Sequence, residues 1–111
     1  MPTTMTSETV TVLRLAGDMS LSEMDNLLRV LTDLVLANKK KVVLNFRKVT
    51  HVSLNGIAHL AEKSRRFRAL NGEIKIVCLI PYVANLFKLV GAFSNFDVLS
   101  TEEEAVARFE S

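Results

Sequence analysis

Tryptophan is absent from this chain and tyrosine occurs once, so six phenylalanines and the aliphatic residues must fill any core. Cysteine also occurs once, at Cys78, which excludes an intramolecular disulfide framework and suits a reducing, cytoplasmic setting. No apolar run approaches the ~20 residues needed to cross a bilayer. The polar start, Met1 to Thr9, lacks the charged-then-apolar pattern of a secretory signal. A cytoplasmic protein without membrane insertion is expected. Glycine is sparse, and Gly56 and Gly72 stand alone, so no glycine-rich phosphate loop is present. The two histidines, His51 and His59, lie too far apart for ordinary metal-ligand spacing, and neither has an obvious acid partner. No metal, no cofactor and no catalytic constellation are expected. Net charge is +2, too small to argue for nucleic acid. The basic clusters, Lys39-Lys40-Lys41 and Arg65-Arg66 with Arg68, lack interleaved aromatics and read as solvated surface.

What is present is a regular alternation of two periods. With 111 residues, 49% of them hydrophobic and 23% charged, the chain suits one ordinary domain over 1–111. Residues 1–8 read as a flexible segment or an edge strand. Thr9 to Leu15 alternates with period two and is rich in β-branched residues, predicting a strand. Ala16 to Met19 reads as the break after it. Ser20-Leu21-Ser22-Glu23 is a capping box, and Met24, Leu27, Leu28, Leu31, Leu34 and Val35 follow at helical spacing. Val42 to Phe46 suits a central strand, with Val49 to Val52 a brief further extended piece. A second helix is predicted from about Leu54 to Leu70, with Ile57, Leu60, Ala61, Ser64 and Phe67 inward, and His59, Glu62, Lys63 and Arg66 outward. Asn71-Gly72 stops it. Ile74 to Ile80 reads as a strand, with Cys78 inside it as a small hydrophobe. Pro81 opens a third helix that Gly91 ends. Asp97 to Leu99 is a short strand, and Ser100-Thr101 with Glu102 to Glu104 start a last helix anchored by Ala105, Val106 and Phe109. This order predicts an α/β domain with a mostly parallel sheet of four to five strands and about four helices.

Three segments in this order resemble the STAS domain, the fold of bacterial anti-sigma factor antagonists. "LRLAGDMS" (Leu13 to Ser20) resembles the family's first strand and turn. "VVLNFRKVTHVSLNGIAHL" (Val42 to Leu60) is similar to its "lDls.v..iDSSGlg.L" segment. "LNGEIKIVCLIPYVANLFKLVGAFSNFDVLSTEEEAV" is similar to its ending. The resemblance implies a protein–protein switch without enzymatic activity. The unphosphorylated antagonist binds an anti-sigma factor, often a histidine-kinase-like ATPase, and so frees the sigma factor. Phosphorylation of a hydroxyl in the Asp-Ser-Ser-Gly loop breaks that contact. Other single-domain members act as accessory or scaffold subunits of stress-signalling complexes or lipid-transport ATPases.

The same resemblance sets the family's loop onto Ser53-Leu54-Asn55-Gly56. The family's phosphoacceptor falls on Leu54, which has no hydroxyl, and two family aspartates fall on Ser53 and Ser20. Serine caps a helix about as well as aspartate, so these exchanges keep the helix starts and remove negative charge. Carboxylates beside a hydroxyl can hold a metal and position a phosphoryl group. Losing them together implies that phosphotransfer at this loop is gone. Leu54 reads either as core folded back on the helix stripe or as an apolar knob offered to a partner. Ser53 reads as a cap first and a phosphosite second. Gly56 permits a close approach of backbone or partner. The expected partner-binding residues are Asp18, Met19, Ser20 and Leu21 in the first turn, Ser53, Leu54, Asn55 and Gly56 in the loop, and His59 and Lys63 on the helix. Polar outer helix faces suit a monomer or weak dimer. A ligand pocket at the carboxyl ends of the strands is the remaining alternative.

Overall fold

The computed structural model describes residues 3–6 and 9–110. Five strands form one sheet in the order β1-β2-β3-β4-β5. They are β1 (Thr3–Thr6), β2 (Thr11–Met19), β3 (Lys41–Val52), β4 (Glu73–Val77) and β5 (Asp97–Leu99). The helices are α1 (Leu21–Leu36), α2 (Leu54–Ala69), α3 (Pro81–Leu89) and α4 (Glu102–Glu110), with a 3-10 turn at Phe93–Asn95. β1 pairs antiparallel to β2 at one edge, and the other four strands are parallel. The fold is the predicted α/β one.

Alternation along the strands divides the interior in two. Val42, Leu44 and Phe46 of β3 and Ile74 and Ile76 of β4 enter one cluster with Met24, Leu27 and Leu31 of α1 and Ile57, Leu60 and Phe67 of α2. Val83, Leu86 and Phe87 bring α3 to the same face. Each parallel neighbour pair needs a crossover of one hand, so the first three helices share that face. The opposite face gathers Val10, Val12, Val43 and Val77 under Ala105 of α4. Lys75 points to this second face and is buried. It is held by Glu73 at 2.6 Å and Asp97 at 2.8 Å, with its ammonium 4.6 Å from the Phe109 ring centroid. A buried ammonium costs heavily unless paired, and two carboxylates and a ring face supply the partners.

Two elements run further than expected and one stops sooner. β2 continues through Ala16–Met19, and β3 continues unbroken to Val52. The extension is irregular: β3 gains residues against β2 between Arg14 and Ala16 and again between Gly17 and Asp18. Bulges of this kind interrupt the simple alternation that marks a strand in sequence. β4 ends at Val77, because Cys78 adopts φ 63°, a left-handed conformation that turns the chain out of the sheet. Cys78 is therefore beyond the strand, half-buried, rather than inside it. Its Sγ lies 3.1 Å from the Ser100 carbonyl oxygen, and burial pushes its thiol pKa up. Beyond the Asn45–Val77 pairing, β2 and β3 thus overhang as a two-stranded parallel ribbon.

α1 and α2 approach closely at Gly56. A Cβ there would lie 2.6 Å from Met24 Cγ and 2.9 Å from Met24 Cβ. Gly56→Ala should destabilise the fold by about 1–3 kcal/mol. Met24→Ala in the same chain should recover part of that loss, giving a favourable coupling in a double-mutant cycle followed by chemical denaturation. Additive losses would show that the two residues do not compete for space. On the second face, Glu102 accepts from Arg14 Nε and Nη2 at 2.8 Å each and from Asn45 Nδ2 at 2.6 Å. The Arg14 hydrogen bond is the main cause that holds its carboxyl below the ordinary value of 4.5, with Asn45 adding to it. A lowered folded-state pKa gives stability that is full above 4.5 and lost as pH falls through the folded value. Glu102→Gln should cost about 1 kcal/mol at neutral pH. The gap to the wild type should close progressively below pH 4.5. A gap independent of pH in urea melts would refute this account.

Candidate functional site at the ends of the overhanging ribbon

The ribbon ends in two helix starts built alike. Ser20 caps α1, its Oγ accepting from the Glu23 N–H at 3.3 Å. Ser53 caps α2, its Oγ accepting from the Gly56 N–H at 3.3 Å. Both serines hold extended backbone, with φ −60° and −59°, as an N-cap requires. In each case a leucine follows as the first helical residue. Leu21 and Leu54 are each 43% exposed. The two starts are side by side: Asp18 pairs with His51, Met19 with Val52, and the Ser53 N–H donates to the Met19 carbonyl at 2.9 Å. That last bond carries the ladder past the strand ends and fixes Ser53 beside Ser20. Leu54 is thus a surface knob, and its reading as core is excluded.

Of the residues expected at a partner surface, Asp18, Ser20, Leu21, Leu54, Asn55 and His59 are exposed and Ser53 is half-buried. Asn55 and His59 are four apart on α2, one turn along the same face. Three expectations need correction. Met19 is 4% exposed and belongs to the core, because β2 continues as a strand to this residue and its period of two sets Met19 on the same inner face as Leu13 and Leu15. Gly56 is buried, and the close neighbour it admits is Met24 rather than a partner. Lys63 is half-buried, and its Nζ donates to Thr32 Oγ1 of α1 at 2.8 Å, so it links two helices.

A further pair escaped the sequence reading. His51 Nδ1 and Tyr82 Oη lie 2.9 Å apart, with the rings stacked at 28° and centroids 5.8 Å apart. Tyr82 is half exposed in the first turn of α3. A third helix start thereby joins the ribbon edge. The available signals were the chain's single tyrosine just after Pro81 and a histidine at an outward strand position. No group of three or more His, Cys, Asp or Glu is arranged to hold a metal among the described residues. A cavity of about 740 Å³ lies elsewhere, beside the start of α4 between Arg14, Asn45, Lys48, Cys78 and Glu102. Two of its charges, Arg14 and Glu102, already neutralise one another. No helix among the described residues is long and apolar enough to cross a membrane.

Comparison with known proteins agrees with this architecture. BtrV of Bordetella bronchiseptica, named as a candidate anti-sigma factor antagonist, is 27% identical over 73 residues. That match covers 66% of this chain and 63% of BtrV. The anti-sigma factor antagonist SpoIIAA in its unphosphorylated form superposes with a TM-score of 0.82 at 20% identity, covering 99% of this chain and 96% of SpoIIAA. An anti-sigma factor antagonist from Mycobacterium paratuberculosis gives a TM-score of 0.86 at 15% identity, covering 100% and 94% of the two chains. These structural likenesses establish a shared fold. The STAS domain model matches residues 1–105, nearly the whole chain, and the protein is therefore a member of the STAS domain family.

Proposed function

We propose that this protein is a non-catalytic regulatory module of the anti-sigma factor antagonist type. It docks on an anti-sigma factor or histidine-kinase-like ATPase through the ribbon edge, and phosphorylation of the usual loop position does not release it. The observation that carries this reading is Leu54. By the resemblance of the loop it falls at the family's acceptor position; it stands half exposed at the start of α2 and has no group that can accept phosphate. An exposed leucine beside a second one, Leu21, at the rim of two capped helices is suited to bury against an apolar pocket. Asp18, Ser20, Asn55 and His59 supply a polar rim around them, and Tyr82 with His51 extends the surface toward α3. Ser53 spends its hydroxyl oxygen on the Gly56 N–H, which favours the cap role over that of an acceptor.

Capture of the partner from the native cell tests the docking edge. Leu54→Glu should lose the partner that the wild type retains. Because the side chain is exposed and a carboxylate is favoured at a helix start, stability should change by no more than about 0.5 kcal/mol. Partner retention by this variant would remove the edge from the interface. A second outcome concerns the switch. After incubation with the captured kinase and ATP, mass spectrometry should find residues 53–56 unmodified. Phosphate on Ser53 that releases the partner would instead make the module a switched one with a displaced acceptor.

A further inference from the structure

The ribbon edge leaves unused the two basic clusters of the sequence, which the fold brings to the opposite pole. Lys39, Lys40 and Lys41 lead into β3, and Arg68 and Lys88 close the last turns of α2 and α3. Lys40 Nζ donates to the Leu70 carbonyl at 3.0 Å, which joins the end of α2 to the lysine run. Arg68 Nη1 donates to the Asn95 carbonyl at 2.9 Å, which joins the same end to the turn after α3. Lys88 sits 4.9 Å from the Phe93 ring centroid. These partners are all uncharged. Among the described residues, the ion pairs engage Arg14, Arg65, Arg66, Lys75 and Arg108, and none reaches these five cations. Leu36, Leu70 and Leu89, at 79%, 53% and 73% exposed, stand at the ends of the same three helices.

We propose that this pole docks peripherally on an anionic phospholipid surface. The unneutralised lysines and arginine would meet the headgroups, and the three leucines would enter the interfacial layer. Each alternative occupant fails on one component. A second copy of the same pole brings like charge against like. Nucleic acid accepts the cations but gives the leucines no burial and has no exposed aromatic here on which to stack. An acidic protein accepts the cations, but the three exposed leucines sit on separate helix ends rather than along one helix face. A soft, negatively charged, apolar-cored surface satisfies both components. Docked this way, the helices stand with their capped starts directed away from the bilayer, and the Ser20–Ser53 edge stays open to a partner.

Vesicle flotation of the full chain tests the assignment. Phosphatidylcholine vesicles containing roughly 30% phosphatidylserine should carry the protein, and pure phosphatidylcholine should not. Lys39→Glu with Lys41→Glu should weaken binding on the order of tenfold or more. Leu36→Ser with Leu89→Ser should weaken it by roughly tenfold at unchanged charge. All four side chains are exposed, so circular dichroism should be unaltered. Leu54→Glu should bind vesicles like the wild type, separating this surface from the ribbon edge. No flotation with anionic vesicles would overturn the proposal. So would equal binding to both vesicle types, or leucine variants that bind normally. Retention on an oligonucleotide or on an acidic protein without vesicle binding would assign the pole to that class and overturn the lipid reading.

Discussion

The parallel pairing of β2 with β3 is the constraint on which the rest depends. β3 is hydrogen-bonded on both sides, and its alternating side chains supply both interiors, Val42, Leu44 and Phe46 to one and Val43 to the other. Every helix is placed by reference to it. Where β4 has already left the sheet, the pairing persists alone, through two bulges and out to the Ser53–Met19 hydrogen bond. That persistence converts two separate strand-to-helix turns into one continuous edge. Without it Ser20 and Ser53 would cap their helices equally well but would have no fixed relation to each other.

The core and the helix starts were legible because each has a local cause. Amphipathic spacing marked Met24, Leu27 and Leu31, and the Ser-x-x-Glu pattern marked the start of α1. The parallel sheet followed from the alternation of element types. The edge strand Thr3–Thr6 has no marker in the sequence, since a short polar segment has no pattern that distinguishes an edge strand from a tail. The length of β3 was not legible because Arg47 and Lys48 interrupt its apolar run on the overhang, where one strand neighbour is missing and charge meets solvent. The end of β4 was hidden in a residue type: nothing about a cysteine announces a left-handed backbone, which glycine or asparagine would have signalled.

Side-chain fates were the least legible, and each depends on a neighbour remote in sequence. Met19 lies inward because pairing with β3 carries β2 on past Leu15, through Gly17. Gly56 is required by Met24, 32 positions earlier. Lys63 looked outward on a helical wheel, yet α1 lies close enough for Thr32 to take its ammonium. His51 and Tyr82 have nothing in common along the chain. A single period cannot encode these relations, because they arise only once two elements are packed.

The serines explain how the loop can differ from the family pattern without cost to the fold. A cap needs an oxygen that accepts one backbone N–H, and Ser20 and Ser53 each provide it at 3.3 Å. A carboxylate would do the same and add charge. With serine in both places the cap remains, and each adjoining leucine follows a neutral cap rather than an anionic one. Desolvating such an edge against a partner is easier than desolvating a carboxylate, which must find a counter-charge or stay wet. The exchange of acid for hydroxyl and of hydroxyl for methyl groups therefore acts in one direction. On the proposed reading it eases burial of the edge against a partner and leaves Leu54 without a hydroxyl to phosphorylate.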